Sequence, residues 1–490
     1  MKIHGVRIMN FPRARGITVI LVLAFMGIFA LLLGTVTSYV LEQGKYGRAL
    51  YAREQALHVA ESGLEYYRWF LAHNPGILTS GTGLVSPDTY AVDDPEGGEL
   101  GSATITATAN MQCGEVQWID LTSRGVSNAN TGFPRTLLAR YIRPSVGEYS
   151  YLLNSNVWAG ADRNIFGPYH SNKGIHMDGT NNSNVTSGVS TWTCNSAAGC
   201  SPSQSKPGIF GNGSGSSLWS YPVAPVSFAG MAADFPNLKA KAETYGLMLA
   251  TTSVQLVGVQ QGSAFDPVGN NERKGFHLVF NSDGTVAVYR VNNTSGAQSI
   301  HSDDLTRWQN DYHTITDETL VGTYTAPSGC SVIYSEAKTW IEGTVSGKII
   351  VVAADDGDFS PDIILNGNIN YAATDGTTGL TAIAEHSVLI PLVVPDEMSI
   401  RGIYVAQTGY FGRNLYDCTY SPYDVRTSLT QNGTIVSNLS TGTQWLYGWC
   451  GEISGFLTRT DSYDRLLAFS PSPFTPTATS TYRLVLWREE

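Results

Sequence analysis

From Ile17 to Leu41 the chain reads ITVILVLAFMGIFALLLGTVTSYVL, an aliphatic run without a single charged side chain. At about 1.5 Å per residue a helix of this length crosses a hydrocarbon core of about 30 Å. Ahead of it lie Lys2, Arg7, Arg13 and Arg15 and no acidic residue. Positive charge is retained on the cytoplasmic side of a membrane, so the N-terminus stays inside and everything after Leu41 is exported. A cleaved secretory signal is the alternative. It needs an apolar core of about 7–15 residues and a small-residue cleavage site. This run is longer, and no such site follows it. The sequence therefore predicts a single-pass membrane protein with an extracytoplasmic body.

Nothing between Glu42 and His73 breaks a helix until His73-Asn74-Pro75-Gly76. Leu50, Leu57, Ala60, Leu64, Tyr67 and Leu71 recur at spacings of three, four and seven, which gathers them into one apolar stripe. Gly44, Gly47 and Gly63 weaken the helix by up to about 1 kcal/mol each relative to alanine. The expectation is one continuous helix. Residues 17–41 form its transmembrane half and 42–75 an amphipathic half that packs against the body or against neighbouring subunits.

The basic leader ending in Arg15-Gly16, the apolar helix from Ile17 and its amphipathic extension resemble the layout of type IV prepilins. The stretch Gln55-Ala-Leu-His-Val-Ala-Glu-Ser-Gly-Leu-Glu65 resembles a segment of PilX-type minor pilins. The resemblance implies that a prepilin peptidase removes residues 1–16 between Gly16 and Ile17, after which the new N-terminus is methylated. Four positive charges would leave with the leader. It also implies packing of Leu21, Leu50, Leu57, Ala60, Glu61 and Leu64 among other pilin or minor pilin subunits. One position departs from the family: many pilins carry Glu at mature position five, where this chain has Leu21, and no carboxylate occurs between Gly16 and Glu42. A subunit at the end of a filament needs no such carboxylate. The competing reading is an ordinary signal anchor that is never cut.

The remainder is different material. Of 490 residues only 14% are charged, while Gly numbers 51, Tyr 25 and Trp 10, which excludes a disordered chain or a coiled coil. At roughly 150 residues per domain the length suggests about three structural units. The net charge of −11 argues against nucleic acid as a partner, because phosphate recognition needs a basic surface. Runs at Ala103–Ala109, Val116–Thr122 and Arg135–Ile142 predict a small antiparallel sheet within residues 76–145, preceded by a loop from Leu78 to Gly98. Such a sheet would bury the helical stripe.

Beyond Pro144, short apolar runs alternate with Gly, Asn and Asp turns: Trp340–Val345, Lys348–Val352, Asp362–Ile369, Leu380–Ala384, Ser387–Ile390 and Met398–Tyr404. The fold class is thus mainly β, with a right-handed parallel β-helix-like body. A β-sandwich or barrel gives similar spacing and is the alternative. The first rungs are placed at 146–190 and an inserted α+β region at 191–335. That region carries a helix over Ala233–Tyr245 and a hairpin turning at Asn281-Ser-Asp-Gly284. The main body and a C-terminal cap occupy 336–490, with Tyr482–Trp487 closing the body.

Six cysteines in an exported chain point to disulfides. Cys194 and Cys200 flank a short loop, Cys418 and Cys450 are paired second, and Cys113 with Cys330 are left by elimination. Zinc is the rival reading, but no C-x2-C or H-x3-H spacing is present. Asp355, Asp356, Asp358 and Asp362 form a weak calcium candidate that lacks the full loop grammar. Solvated turn aspartates are the bland reading, and otherwise no cofactor is expected. The same carboxylates would serve a polysaccharide hydrolase or lyase built on a β-helix, the enzymatic alternative. His170 and His176 lie near Asp178 in sequence, yet no H-E-x-x-H, G-x-S-x-G or G-x4-G-K-[ST] element occurs. The reading that joins these features is not an enzyme. It is a minor pilin-like structural protein, assembled into or initiating a filament, that displays its body at the cell surface for adhesion to a glycan or protein ligand. A non-filament surface protein is the further alternative.

Overall fold

The computed structural model describes residues 17–74, 84–251, 253–261, 273–326, 330–355, 357, 359–446, 453–479 and 481–490. The chain is mainly β behind one long helix. That helix, α1 (Ile17–His73), runs unbroken for 57 residues, about 85 Å at the usual rise. Every residue from Ile17 to Arg48 is exposed. From Ala52 onward one stripe is sealed: Ala52, Ala56, Val59, Ala60, Gly63, Leu64, Tyr67 and Leu71.

A small antiparallel sheet covers that stripe. Strands β1 (Leu84–Asp93), β2 (Glu99–Gln112), β3 (Glu115–Ser127) and β4 (Arg135–Ile142) follow one another in space, and a C-terminal strand, Arg483–Glu489, pairs with the outer edge of β4. Alternation places Ala103, Ile105, Ala107, Ile119, Leu121, Leu137, Ala139 and Tyr141 on the helix side, all buried. The β2–β3 turn is Cys113-Gly114, with φ of 55° and 80°, the doubly positive geometry that matches hairpin twist.

Two corrections concern this sheet. The segment expected to be a loop, Leu78 to Gly98, contains strand β1. Pro87 has no N–H to give a ladder, and a register shift between Val85 and Asp88 accommodates it on an edge strand. The tail expected to close the body instead completes the small sheet, since six residues of β4 pair with Arg483–Glu489. Residues 146–478 are therefore an insertion between two adjacent strands. The two connections run side by side: Ser145 bridges Thr477, Val146 N donates to Pro476 O and Ala478 N donates to Pro144 O, both at 2.9 Å.

The inserted body is a stack of coils whose strands pair parallel from one coil to the next, where a sandwich of hairpins would pair antiparallel. One column shows the register: Leu247, Ile333, Val351, Ala382, Tyr404, Ile435, Tyr151, Tyr169, Val185 and Trp219 lie successively opposite one another. These residues share a single apolar core. Chain order and stacking order differ. The chain enters mid-stack at Tyr151–Leu153, builds outward to Trp219–Ser220, and crosses by way of α2 (Phe235–Tyr245) to the opposite end at Leu247–Leu249. It then winds back through Ser331–Ser335 to Ser454–Ser462, which docks on Arg163–Phe166. The division into first rungs, insertion and main body is corrected accordingly. Residues 191–335 supply strands to both ends of the stack, because an end coil lacking a neighbour must be covered.

The docking seam buries charge. Asp461 lies inside the coil, where its Oδ2 accepts from Arg163 Nε at 2.9 Å and its Oδ1 from the Tyr151 hydroxyl at 3.0 Å. Arg163 also donates to the Tyr151 hydroxyl and lies over that ring at 4.6 Å. Two residues earlier in the same strand, the buried Arg459 grips Asp162 through two nitrogens at 2.6 and 2.7 Å. Asp461→Ala leaves the guanidinium buried without its counter-charge and is expected to cost about 3–5 kcal/mol. Asp464→Ala, which removes only the cap of α3 (Arg465–Phe469), is expected to cost about 0.5–2 kcal/mol. Chemical denaturation of the two variants beside the parent chain checks the ranking.

Candidate functional site: the N-terminal helix

The helix divides into a free half and a clasped half, and side-chain size explains the boundary. On the clasped half the contact residues are small, Ala52, Ala56, Ala60 and Gly63, so the helix lies close against the sheet. A Cβ on Gly63 would fall 2.6 Å from Ser123 Oγ and 2.7 Å from Ala103 Cβ. A Cβ on Gly125, opposite in β3, would fall 2.1 Å from the Ala56 carbonyl and 2.5 Å from Ala60 N. Both glycines are required by approach, not by turn geometry. Further along, Leu64, Tyr67 and Leu71 fill the gap over Ile105, Ile119 and Tyr141. Burial pushes the phenols of Tyr67 and Tyr141 up to about 12, so both stay neutral. Ser127 Oγ donates to Gln55 Oε1 at the rim.

On the free half nothing is within 4 Å of a Cβ built on Gly27, Gly34, Gly44 or Gly47. Ile17, Leu21, Leu31 and Leu33 stand 52–73% exposed, and the most apolar window of the helix has none of its residues buried. Exposed Tyr39, Tyr46 and Tyr51 follow where the apolar run ends, with Lys45, Arg48 and Arg53 among them. This is the change from lipid-compatible to water-compatible surface that membrane-crossing helices show at the interface.

The residues expected to pack in a filament separate accordingly. Leu21 and Leu50 are exposed and free to meet a neighbour. Leu57 is half-buried against the chain's own sheet, and Glu61 is half-buried with His58 Nδ1 3.1 Å from its carboxylate. Ala60 and Leu64 are sealed, which corrects their assignment: the sheet of the same chain occupies that face and leaves it to no other subunit. Ile17 is the first described residue of the helix, and Gly16 lies outside the described residues.

The other candidates scatter. Cys194–Cys200 and Cys113–Cys330 are bonded as expected, the latter joining the β2–β3 turn to the body. Cys418 is disulfide-bonded, and Cys450 lies outside the described residues. Asp356 and Asp358 also lie outside them. Asp362 is turned inward, its Oδ1 accepting from Ser387 N at 3.0 Å and lying 2.8 Å from His386 Nδ1, so it is not a loop ligand facing solvent. The backbone N of Asp355 donates to Glu385. Among the described residues no group of three or more His, Cys, Asp or Glu side chains could hold a metal ion. His176 sits between the rings of Trp158 and Phe210 with Asp178 Oδ2 3.0 Å away. His170 is on another ladder, bonded to Thr186 and Asn172. Sequence reading missed the cleft of ≈ 920 Å³ between small sheet and body, lined by Trp118, Asn237, Lys348 and Phe469 among others. Its walls come from six separated segments, so no local motif announces it.

Gly125→Val is expected to lift the helix off the sheet, because a β-branched side chain cannot share space with the Ala56 carbonyl. Hydrogen exchange at residues 52–71 should rise sharply. Gly47→Ala, on the open half, should leave that exchange unchanged and stabilise the helix by up to about 1 kcal/mol.

No family model matches the chain, and no curated protein matches it. Among solved structures, the competence-associated pilin ComZ from Thermus thermophilus is similar over 90% of this chain and 97% of that one, at 11% sequence identity and a TM-score of 0.29.

Proposed function

We propose that the chain is a minor pilin-like structural protein that waits in the membrane and joins or initiates a type IV pilus-like filament through α1. The observation that supports the reading is the division of that helix. A stretch of 25 uncharged residues stands free of the body, while the continuation of the same helix is clasped by a small antiparallel sheet. In the membrane the free half is solvated by lipid. On assembly the same surface packs against other pilin helices by close side-chain contact, the interaction available to helices that have no water to escape.

The coil stack, read as a parallel β-helix, is then the displayed part. Because it is inserted between neighbouring strands, it leaves the helix-clasping face of the sheet unchanged. Display for adhesion to a surface glycan or protein is the role proposed for it. No catalytic role is proposed: among the acidic residues considered for glycan cleavage, Asp362 is committed to His386 and Ser387.

Intact mass and terminal peptide sequencing of the membrane-extracted protein test the proposal. The expected product begins at Ile17 with a methylated amine. A chain that still begins at Met1 or Lys2 would make it a signal-anchored surface protein outside the filament pathway.

A further inference from the structure

The coil stack presents three faces, and the chain itself closes two of them. On the first, Tyr334, Val352, Ile383, Val405, Val436 and Leu152 lie opposite one another in successive coils. They alternate with the core column and so point outward. Leu238 and Ala242 of α2 and Leu467 of α3 are buried with them and cover them. On the second face Trp340, Ile364 and Leu389 form a shorter outward ladder. A hairpin of Thr285–Ile300 and Trp308–Thr325 lies over it, with Val291 and Ile315 against the ladder. On both faces an apolar outward column goes with a cover, as apolar surface requires.

The third face is different. It is built from residues 397–401, 428–432, 458–462, 164–166 and 180–181, paired parallel in that order. Inward, Ile400, Gln431, Asp461, Ile165 and Asn181 follow one another, all buried. Outward, Ser399, Thr430, Thr460, Asn164 and Thr180 form a central column, flanked by Ser428 and Thr458 on one side and by Asn432, Ser462 and Phe166 on the other. None of these outward residues is buried, and Phe166 is 46% exposed. From Ser428 to Thr180 the outward positions carry no charge, on a chain whose net charge is −11. Part of the polar capacity is used along the columns: Thr180 Oγ1 donates to Asn164 Oδ1 and Asn432 Nδ2 to Ser462 Oγ, both at 2.9 Å. The hydroxyls of Ser399, Thr430 and Thr460 bond to no other group among the described residues.

We propose that this bare face binds an uncharged, extended polysaccharide chain laid along the stack axis, with Ser399, Thr430, Thr460, Asn164 and Thr180 beneath it and Phe166 at its side. The inference rests on reading the body as the displayed part of the chain.

The chemistry of the face selects this partner. Each Ser, Thr and Asn is both donor and acceptor, and loses less rotamer freedom on contact than a long polar side chain does. Nucleic acids and other anionic polymers need a basic surface, which the columns do not offer. Protein interfaces centre on buried aromatic anchors and are poor in Ser, whereas the one large ring here lies in an outer column. A neutral sugar chain matches the face group by group. Its hydroxyls exchange donors and acceptors with the columns, and the C–H side of one ring rests on Phe166. Coils repeat every 4.8 Å or so, about the length of one pyranose in an extended chain, so like groups meet at each of five coils over about 19 Å.

Co-sedimentation of the full chain in detergent micelles with microcrystalline cellulose and with chitin tests the proposal. The parent should adsorb to at least one of them, and cellohexaose or chitohexaose should compete where alginate, a polymer of uronates, does not. The triple variant Thr430→Val, Thr460→Val, Phe166→Ala keeps the branched strand residues and touches no buried side chain. It should bind roughly ten-fold or more weakly, the loss of two hydrogen bonds and a ring contact, at an unchanged denaturation midpoint. Thr430→Arg, which projects a long cation from the middle of the face, is the second variant and should block adsorption. Trp118→Ala, in the cleft at the small sheet, should bind like the parent. No adsorption of the parent to either polymer would overturn the proposal. So would parent-like binding by both face variants, competition by alginate equal to that of the hexasaccharides, or loss of binding in Trp118→Ala. Antibody labelling of the body on intact cells reads display separately: adsorption in micelles without labelling fails the display reading alone, and labelling without adsorption fails this site alone.

Discussion

The Arg163–Asp461 pair is the constraint on which the body depends. A chain that enters its own stack in the middle must close on itself, and closure brings residues about three hundred positions apart into adjacent coils. Such a contact repays its loop entropy only if it is strong and specific. A stack of apolar rungs offers little preference between registers two residues apart, since Ile over Val is much the same as Val over Ile. A buried charge pair does. With Asp461 accepting from Arg163 and Tyr151, and Arg459 gripping Asp162, a slip of two residues would strand an ion in the core. Replacing the pair by apolar groups of similar volume could preserve stability while losing that registration.

The insertion sets a second condition. Two strands that are neighbours in the small sheet are separated in sequence by the whole body, so the sheet is complete only when the body has brought Arg483 beside Ile142. Arg135 and Glu489 form an ion pair at one end of this strand pair, and Arg483 meets Glu148 at the other. The helix-clasping surface thus reports on folding of the inserted coils. On the reading proposed above, a subunit whose body has not folded presents an incomplete sheet beneath its helix.

The elements legible in the sequence were those with local causes. The apolar run at Ile17–Leu41, the stripe ending in Leu71, the Asp283-Gly284 hairpin and the short runs from Trp340 to Tyr404 each carry their own periodicity or turn chemistry, and each forms where expected. Long-range partnership was not legible. Nothing in Tyr482–Trp487 distinguishes a strand that caps a stack from one that completes a distant sheet, because an edge strand has the same composition in either place. Ala60 and Leu64 look identical whether they face the chain's own sheet or another subunit; only the close approach at Gly63 and Gly125 decides, and Gly125 lies sixty-odd residues away. His301, His313 and His386 are far apart in sequence and share Asp362 as a charged neighbour only once the stack has folded.

The neck explains how such a body could be carried by so small a sheet. Two antiparallel connections at Pro144–Val146 and Pro476–Ala478 resist shear between sheet and stack, yet a single two-stranded joint leaves bending about its own axis cheap. Cys113–Cys330 supplies a tether off that axis, at the far end of the β2–β3 hairpin, and bending would have to stretch a covalent bond. Three points fix a plane where two fix only a line. Any load borne by the coils is then passed to the sheet, and through Ala56, Ala60 and Gly63 to the helix, without a flexible hinge in the path.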